Sequence, residues 1–268
     1  IKLLFLLGTR PEAIKIAPLL KELKKWPEFE VKVCSTGQHR EILEQTFSPM
    51  NIKLDWDLKI MKHAQKLTDL SSVCLQVLPE ILESYSPAMV LVQGDTTTAL
   101  MAGLCAFFQK IPVGHIEAGL RTRKKYSPFP EEMNRRLLTA LSDLHFCPTH
   151  RAFENLVIEG VNPKNIFVTG NTSIDSLRNE WEKSITQDPI IDQLNQKKIV
   201  LVTAHRRENF GSSMSQIFRT ILKLADHHED YQFVFPVHPN PEVRRLAGSI
   251  LKGHPQIQLI SPLDYSTL

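Results

Sequence analysis

The sequence predicts an α/β protein built from doubly wound parallel sheets. Short, near-continuous runs of Val, Ile, Leu and Phe have the look of strands buried on both faces. Segments with helical apolar spacing separate them and supply the crossovers that parallel strands need. The order is strand then helix almost throughout, the pattern of a doubly wound fold.

The first expected strand is Lys2 to Leu7. A helix follows between Pro11 and Trp26, where Ile14, Ala17, Leu20 and Leu23 recur at helical spacing. Pro11 suits a first turn, and Lys21, Lys24 and Lys25 suit the last turns. Val31 to Ser35 is the second strand, and Leu67, Leu70, Val73, Cys74, Val77, Leu78 and Ile81 form another helical stripe. Strands then follow at Met89 to Gln93, Val113 to Glu117, Leu144 to Cys147 and Ile166 to Thr169. Residues 178–197 are crowded with Asn, Gln and charged residues and read as a surface helix and linker. Beyond it come Lys198 to Thr203, Gln232 to Val237 and Ile257 to Ile260. The division is therefore a first Rossmann-like domain over 1–177, a linker over 178–197, and a second domain over 198–268. With six strands against three, the second is small for this class.

Composition agrees. The 268 residues carry 32 Lys and Arg against 29 Asp and Glu, with 42% hydrophobic and 23% charged residues, as in a globular chain. A balance of +3 gives no argument for nucleic acid. No apolar stretch approaches a membrane span, and Ile1 to Leu7 lacks the flanks of a signal peptide, so a cytoplasmic protein is expected. Cys34, Cys74, Cys105 and Cys147 form no Cys-x-x-Cys pair and read as reduced core residues.

Ligands of open parallel sheets bind beyond the carboxyl ends of strands, so the residues there carry the functional signal. They are Gly8-Thr9-Arg10-Pro11-Glu12 with Lys15, Thr36-Gly37-Gln38-His39-Arg40, Gly94-Asp95-Thr96-Thr97-Thr98 and His115 to Arg121. A later loop holds Pro130-Glu131-Glu132-Met133-Asn134-Arg135, and the second half offers His205-Arg206-Arg207-Glu208-Asn209 and His238-Pro239. Each has a structural reading. Asp95 suits an N-cap, Glu117 a salt bridge with Arg121, Glu131 a first-turn acid and His205 a core histidine, while Arg206 and Arg207 suit solvent. Together they suggest more. Basic groups at one mouth would hold a diphosphate, and carboxylates facing a sugar would move protons or stabilise a cationic transition state.

Absences narrow the class. There is no Gly-x-Gly-x-x-Gly after the first strand, no P-loop and no paired metal-ligand spacing, so neither NAD, a phosphate-loop nucleotide nor a metal is expected. Asp55-Trp56-Asp57 imitates an Asp-x-Asp metal motif but does not end a convincing strand. The Asn171-Thr172-Ser173 sequon reads as incidental.

Across these segments, with Thr169-Gly170-Asn171-Thr172, the chain resembles the bacterial non-hydrolysing UDP-N-acetylglucosamine 2-epimerases. The motifs run in that family's order along the whole chain. The resemblance implies a GT-B architecture, two Rossmann-like domains with a cleft between them, that interconverts UDP-N-acetylglucosamine and UDP-N-acetylmannosamine without a cofactor for surface polysaccharides. It implies catalytic roles for Asp95, Glu117, Glu131 and His205, and contact with the nucleotide sugar by Arg10 and Lys15. Gln38, His39, Arg206 and His238 resemble part of an effector pocket for a second UDP-N-acetylglucosamine, although Ala64 stands about where some members place an Arg. A homodimer is implied as well. Family members continue past Leu268 through a UDP-holding segment, so an incomplete nucleotide-binding domain and little turnover are expected of these 268 residues alone. The alternatives are a hydrolysing epimerase, a GT-B glycosyltransferase and a non-catalytic nucleotide-sugar binding protein.

Overall fold

The structure is a computed structural model that describes residues 1–37, 53–60, 65–183, 197–204 and 210–263. It divides into two compact units, Ile1–Lys183 and Ser184–Leu268.

The first unit opens with strand β1 (Lys2–Leu7), helix α1 (Arg10–Leu23) and strand β2 (Glu30–Ser35). Pro11 sits in the first turn of α1 and Lys21 in its last, as the dipole favours. Strand β3 (Trp56–Asp57), helix α2 (Leu67–Tyr85), strand β4 (Met89–Gln93) and helix α3 (Thr97–Phe108) follow. Next come β5 (Val113–Ile116), α4 (Glu131–Leu141), β6 (Leu144–Cys147), α5 (His150–Ile158), β7 (Ile166–Val168) and α6 (Thr172–Lys183). Thus α6 runs into the stretch expected as linker.

The strands form a parallel sheet in the order β3-β2-β1-β4-β5-β6-β7. Seven strands replace the expected six. The extra one, β3, is two residues long and pairs Cys34 with Trp56 and Ser35 with Asp57. Such a length carries no periodic signal. Its anchor is Asp55, whose carboxylate accepts the Val33 N–H at 2.9 Å while its own N–H donates to the Val33 carbonyl.

Both faces of this sheet are covered, which is why its strands read as continuous apolar runs. Leu4, Leu6, Val90 and Val92 join Cys74, Leu78, Ala102 and Cys105 of α2 and α3 in one cluster. Leu3, Phe5, Leu7 and Leu91 join Ala13, Ile16 and Leu20 of α1 in another. Each fully buried Leu or Phe contributes about 1.5–3 kcal/mol. All four cysteines are buried and free.

The second unit holds β8 (Lys198–Leu201), α7 (Ser212–His227), β9 (Tyr231–Pro236), α8 (Pro241–Leu251) and β10 (Ile257–Ile260). Its strands are parallel in the order β10-β9-β8. Phe218, Phe233, Phe235, Met214, Val243 and Leu251 form its core, with Phe218 and Phe235 in tilted contact at 5.5 Å. Helix α7 closes at His227 with His228 as its C-cap. Among the described residues no helix is long and apolar enough to cross a membrane.

Candidate active site

The strand order of the large sheet reverses between β1 and β4, and that point of an open parallel sheet is where ligands bind. Two turns leave it, Gly8-Thr9 from β1 and Gly94-Asp95-Thr96 from β4. Glu12, on the first turn of α1, ties them together. Its Oε2 accepts the N–H groups of Gly8 at 3.1 Å and Thr9 at 2.7 Å, and its Oε1 accepts the Thr96 hydroxyl at 2.8 Å. Burial raises the Glu12 pKa despite these donors. The turns also press closely on each other. A Cβ on Gly8 would lie 2.5 Å from Thr98 Oγ1 and 2.7 Å from Thr36 Oγ1, two buried hydroxyls that bond each other at 3.0 Å.

Asp95 does not cap the next helix. Thr96 holds the N-cap of α3 and accepts the Ala99 N–H at 3.0 Å, which leaves the Asp95 carboxylate for Arg135, 2.5 Å away. Burial raises the Asp95 pKa; Arg135 works against it, and the charges of Glu131 and Glu117 add to the rise. Both of these carboxylates therefore lie close enough for their charges to act on Asp95. Helix α4 brings its share through spacing, because Glu131, Asn134 and Arg135 lie on one helical face. Asn134 donates to the Asp95 carbonyl at 2.8 Å, while Glu131 Oε2 and Arg135 Nε are buried with no hydrogen-bond partner among the described residues. Glu132 points elsewhere and is structural. Fully buried, it accepts the N–H groups of Thr122 and Arg123, each at 3.0 Å. Burial opposes its charge, but these bonds and Arg135 win and lower its pKa.

Glu117 follows β5 with φ +66°, a left-handed conformation that costs a non-glycine residue about 1–3 kcal/mol. Its carboxylate does not meet Arg121. Lys15 Nζ donates to Oε2 at 2.6 Å, Gln93 Nε2 to the same oxygen at 2.5 Å, and Asn171 Nδ2 to Oε1 at 2.8 Å. Arg121 instead grips Glu159 through two bonds of 2.8 and 2.7 Å. The ion pair expected within the Glu117 to Arg121 segment fails because these residues form a turn and loop and no helix, so a separation of four does not bring the two side chains together. His115 Nε2 bonds the Gly94 carbonyl at 2.7 Å, and burial pushes the His115 pKa down to about 4. The neutral ring thus donates to the turn that presents Asp95.

Of the residues singled out in the sequence, Asp95, Glu117, Glu131 and Lys15 come together at the switch point. Arg10 opens α1 directly after the Gly8-Thr9 turn and is half-buried. His238 follows β9 in the second unit, its Nδ1 accepting the Asn240 N–H at 3.1 Å. Gln38, His39, Ala64, His205 and Arg206 lie outside the described residues. Sequence reasoning gave no role to Glu12, Arg135 and Asn171, although they stand within the segments it singled out, and it passed over Gln93. Gln93 carried a signal as the polar last residue of an apolar strand, and Arg135 as the i+4 neighbour of Glu131. Asn171 was hidden behind its sequon. Among the described residues no three His, Cys, Asp or Glu side chains form a metal-holding group.

Comparison with known proteins identifies what this arrangement resembles. A family model described as UDP-N-acetylglucosamine 2-epimerase matches residues 21–268. The chain is 47% identical to the UDP-N-acetylglucosamine 2-epimerase of Bacillus subtilis over 98% of its own length and 69% of that protein. It is 46% identical to the Escherichia coli protein of the same name, over 98% and 72%. Among solved structures, UDP-GlcNAc 2-epimerase from Neisseria meningitidis bound to UDP-GlcNAc matches with a TM-score of 0.92 and 46% identity. That match covers 99% of this chain and 74% of the other. The Methanocaldococcus jannaschii enzyme in complex with UDP-GlcNAc and UDP matches at 0.83 with 29% identity, over 99% and 75%. The α/β class with two parallel sheets, of the GT-B type, is thereby established.

Proposed function

The chain belongs to the UDP-N-acetylglucosamine 2-epimerase family of isomerases, and from that premise we propose that it epimerises UDP-N-acetylglucosamine at C2 to UDP-N-acetylmannosamine, in supply of surface polysaccharides. The observation that carries this reading is the gathering of carboxylates at the switch point, where the charges of Glu117 and Glu131 reach Asp95 and Lys15 and Arg135 stand beside them.

The C2 hydrogen of the sugar has no carbonyl beside it to stabilise a carbanion. Departure of UDP from C1 removes that obstacle, because the oxocarbenium-like ring that develops makes the neighbouring C2 hydrogen acidic. The C1–O bond breaks with its electron pair leaving on the diphosphate, a carboxylate takes the C2 proton, and 2-acetamidoglucal and UDP remain. Protonation of the opposite face of C2 with re-addition of UDP to C1 inverts that centre. Carboxylates serve both needs, as proton carriers and as counter-charges to the ring. Asp95, Glu117 and Glu131 take these roles. Glu131 presents a buried oxygen with no hydrogen-bond partner among the described residues, and a raised pKa brings Asp95 nearer the working pH of an acid or base. Arg10 and Lys15 hold the nucleotide sugar, and His205 supports the departing diphosphate. A second UDP-N-acetylglucosamine at Gln38, His39, Arg206 and His238 is the activator. The protein works as a cytoplasmic homodimer, and the exposed Phe107 and Phe108 at the end of α3 offer apolar surface for a partner.

The test is proton NMR of UDP-N-acetylglucosamine in heavy water with protein expressed from its natural reading frame. Both UDP sugars should appear with deuterium at C2, and Asp95→Asn, Glu117→Gln and Glu131→Gln should each slow the exchange. Undiminished exchange in all three variants sinks the assignment. Free N-acetylmannosamine with UDP would identify a hydrolysing enzyme, and no conversion without an acceptor would favour a glycosyltransferase.

A further inference from the structure

We propose that Asn171 is a positioning residue for this reaction, one that fixes the carboxylate of Glu117 in its working orientation. The inference rests on the epimerase reading of the same site.

Asn171 leaves β7 through Gly170, whose φ is +80°, and stands immediately before α6. Its Oδ1 accepts the Ser173 N–H at 3.0 Å and the Ser173 hydroxyl at 2.7 Å, which caps the first turn of the helix. That settles the orientation of the amide. With Oδ1 committed to the helix, Nδ2 faces Glu117 Oε1 at 2.8 Å. The helix is itself anchored, since the buried Ser176 hydroxyl donates to the Ile14 carbonyl of α1, the helix that carries Lys15.

Lys15 and Gln93 both act on Oε2 of Glu117. A carboxylate held at one oxygen still swings about that contact. Among the described residues only Asn171 donates to the other oxygen, so three donors from α1, β4 and the β7–α6 turn are needed to fix the plane of the group. The left-handed backbone of Glu117 makes the same point, because a disfavoured conformation persists only where its surroundings over-determine it.

A purely structural account would have Asn171 cap α6 and nothing more. Two substitutions separate the accounts, because Asn, Asp and Ser are nearly equal N-caps. Asn171→Ser keeps the cap and loses the donor; Asn171→Asp keeps the cap and places an anion against Glu117. We expect both to melt within about 2 °C of the parent. Turnover should fall about tenfold for Ser and about 100-fold for Asp, the scale of a misplaced reacting group, with KM within about twofold. In Asn171→Asp the acid limb of the pH–rate profile should also move to higher pH, since two adjacent carboxylates hold a proton more tightly than one. Parent-like kcat in both variants overturns the proposal, as does a loss of kcat matched by a loss of thermal stability. A readout that needs no turnover is the Asn171 side-chain amide resonance in a 15N correlation spectrum, assigned by its disappearance in Asn171→Ser. It should move upfield in Glu117→Gln, where the charged acceptor is gone, and an unmoved resonance refutes the contact. A parent without epimerase activity would defeat the functional reading, while this resonance would still decide whether Asn171 holds Glu117.

Discussion

Gly119→Ala tests how Glu117 comes to be placed. Gly119 has φ +84°, and a Cβ there would stand 2.2 Å from the carbonyl oxygen of Ala152 and 2.8 Å from its carbon. Both are backbone atoms of α5, and Ala152 is buried with Ala118, Cys147, Leu156 and Ile166. No flexible side chain can yield, so the helix must retreat by about 1 Å before ordinary contact returns. The left-handed backbone costs alanine about 1–2 kcal/mol, and overpacking of a filled core about 1–3 kcal/mol. The sum, about 2–5 kcal/mol, is a large part of the 5–15 kcal/mol typical of a whole domain. Gly160→Ala is the control, because its φ is +90° but nothing lies within 4 Å of the added Cβ. It should show the backbone cost alone. Urea unfolding followed by far-ultraviolet circular dichroism measures both. A Gly119→Ala variant no less stable than Gly160→Ala would refute the close-approach reasoning, and one within about 0.5 kcal/mol of the parent would also refute the backbone cost.

Two further outcomes are expected. Burial raises the Glu12 pKa above its ordinary 4.5, so the folded chain binds a proton that the unfolded chain has released. The stability contributed by this group is then greatest at acid pH and falls as pH rises from 4.5 through the raised value. Glu12→Gln removes that slope, and its stability relative to the parent should increase across this window in urea titrations; a pH-independent difference would contradict the sign. Burial also pushes the thiols of Cys34 and Cys74 up to about 12 and those of Cys105 and Cys147 to about 11. An aromatic disulfide reagent at pH 8 should leave the native protein unmodified over minutes and label all four cysteines once guanidinium unfolds it. A thiol that reacts within seconds in the native chain would count against the packing around it.

Much of the fold is legible in the sequence because burial on both faces writes itself as unbroken apolar runs. Seven of the observed strands, β1, β4, β5, β6, β7, β8 and β10, begin where the pattern predicts. Strand β3 was illegible because two residues have no period, and it exists through the Asp55 bonds to Val33. The motif carboxylates were legible for a different reason. A charged residue at the end of an apolar strand is costly unless paired, so Asp95 and Glu117 stand out against their surroundings.

Pairing itself was not legible. Glu117 and Arg121 lie four positions apart in the chain, yet one meets Lys15 and the other Glu159. Thr96, not Asp95, caps α3, which frees a carboxylate the sequence would have assigned to the helix. Asn171 reaches Glu117 from 54 residues away. By itself the sequence determined the class of fold and most strand starts, because these follow from local periodicity, and its short motifs pointed to the family through resemblance. Only the tertiary structure decided which donor meets which carboxylate. Those bonds depend on sheet order and on left-handed turns at Gly94, Glu117 and Gly170, which bring distant residues to within 3 Å without leaving a periodic trace.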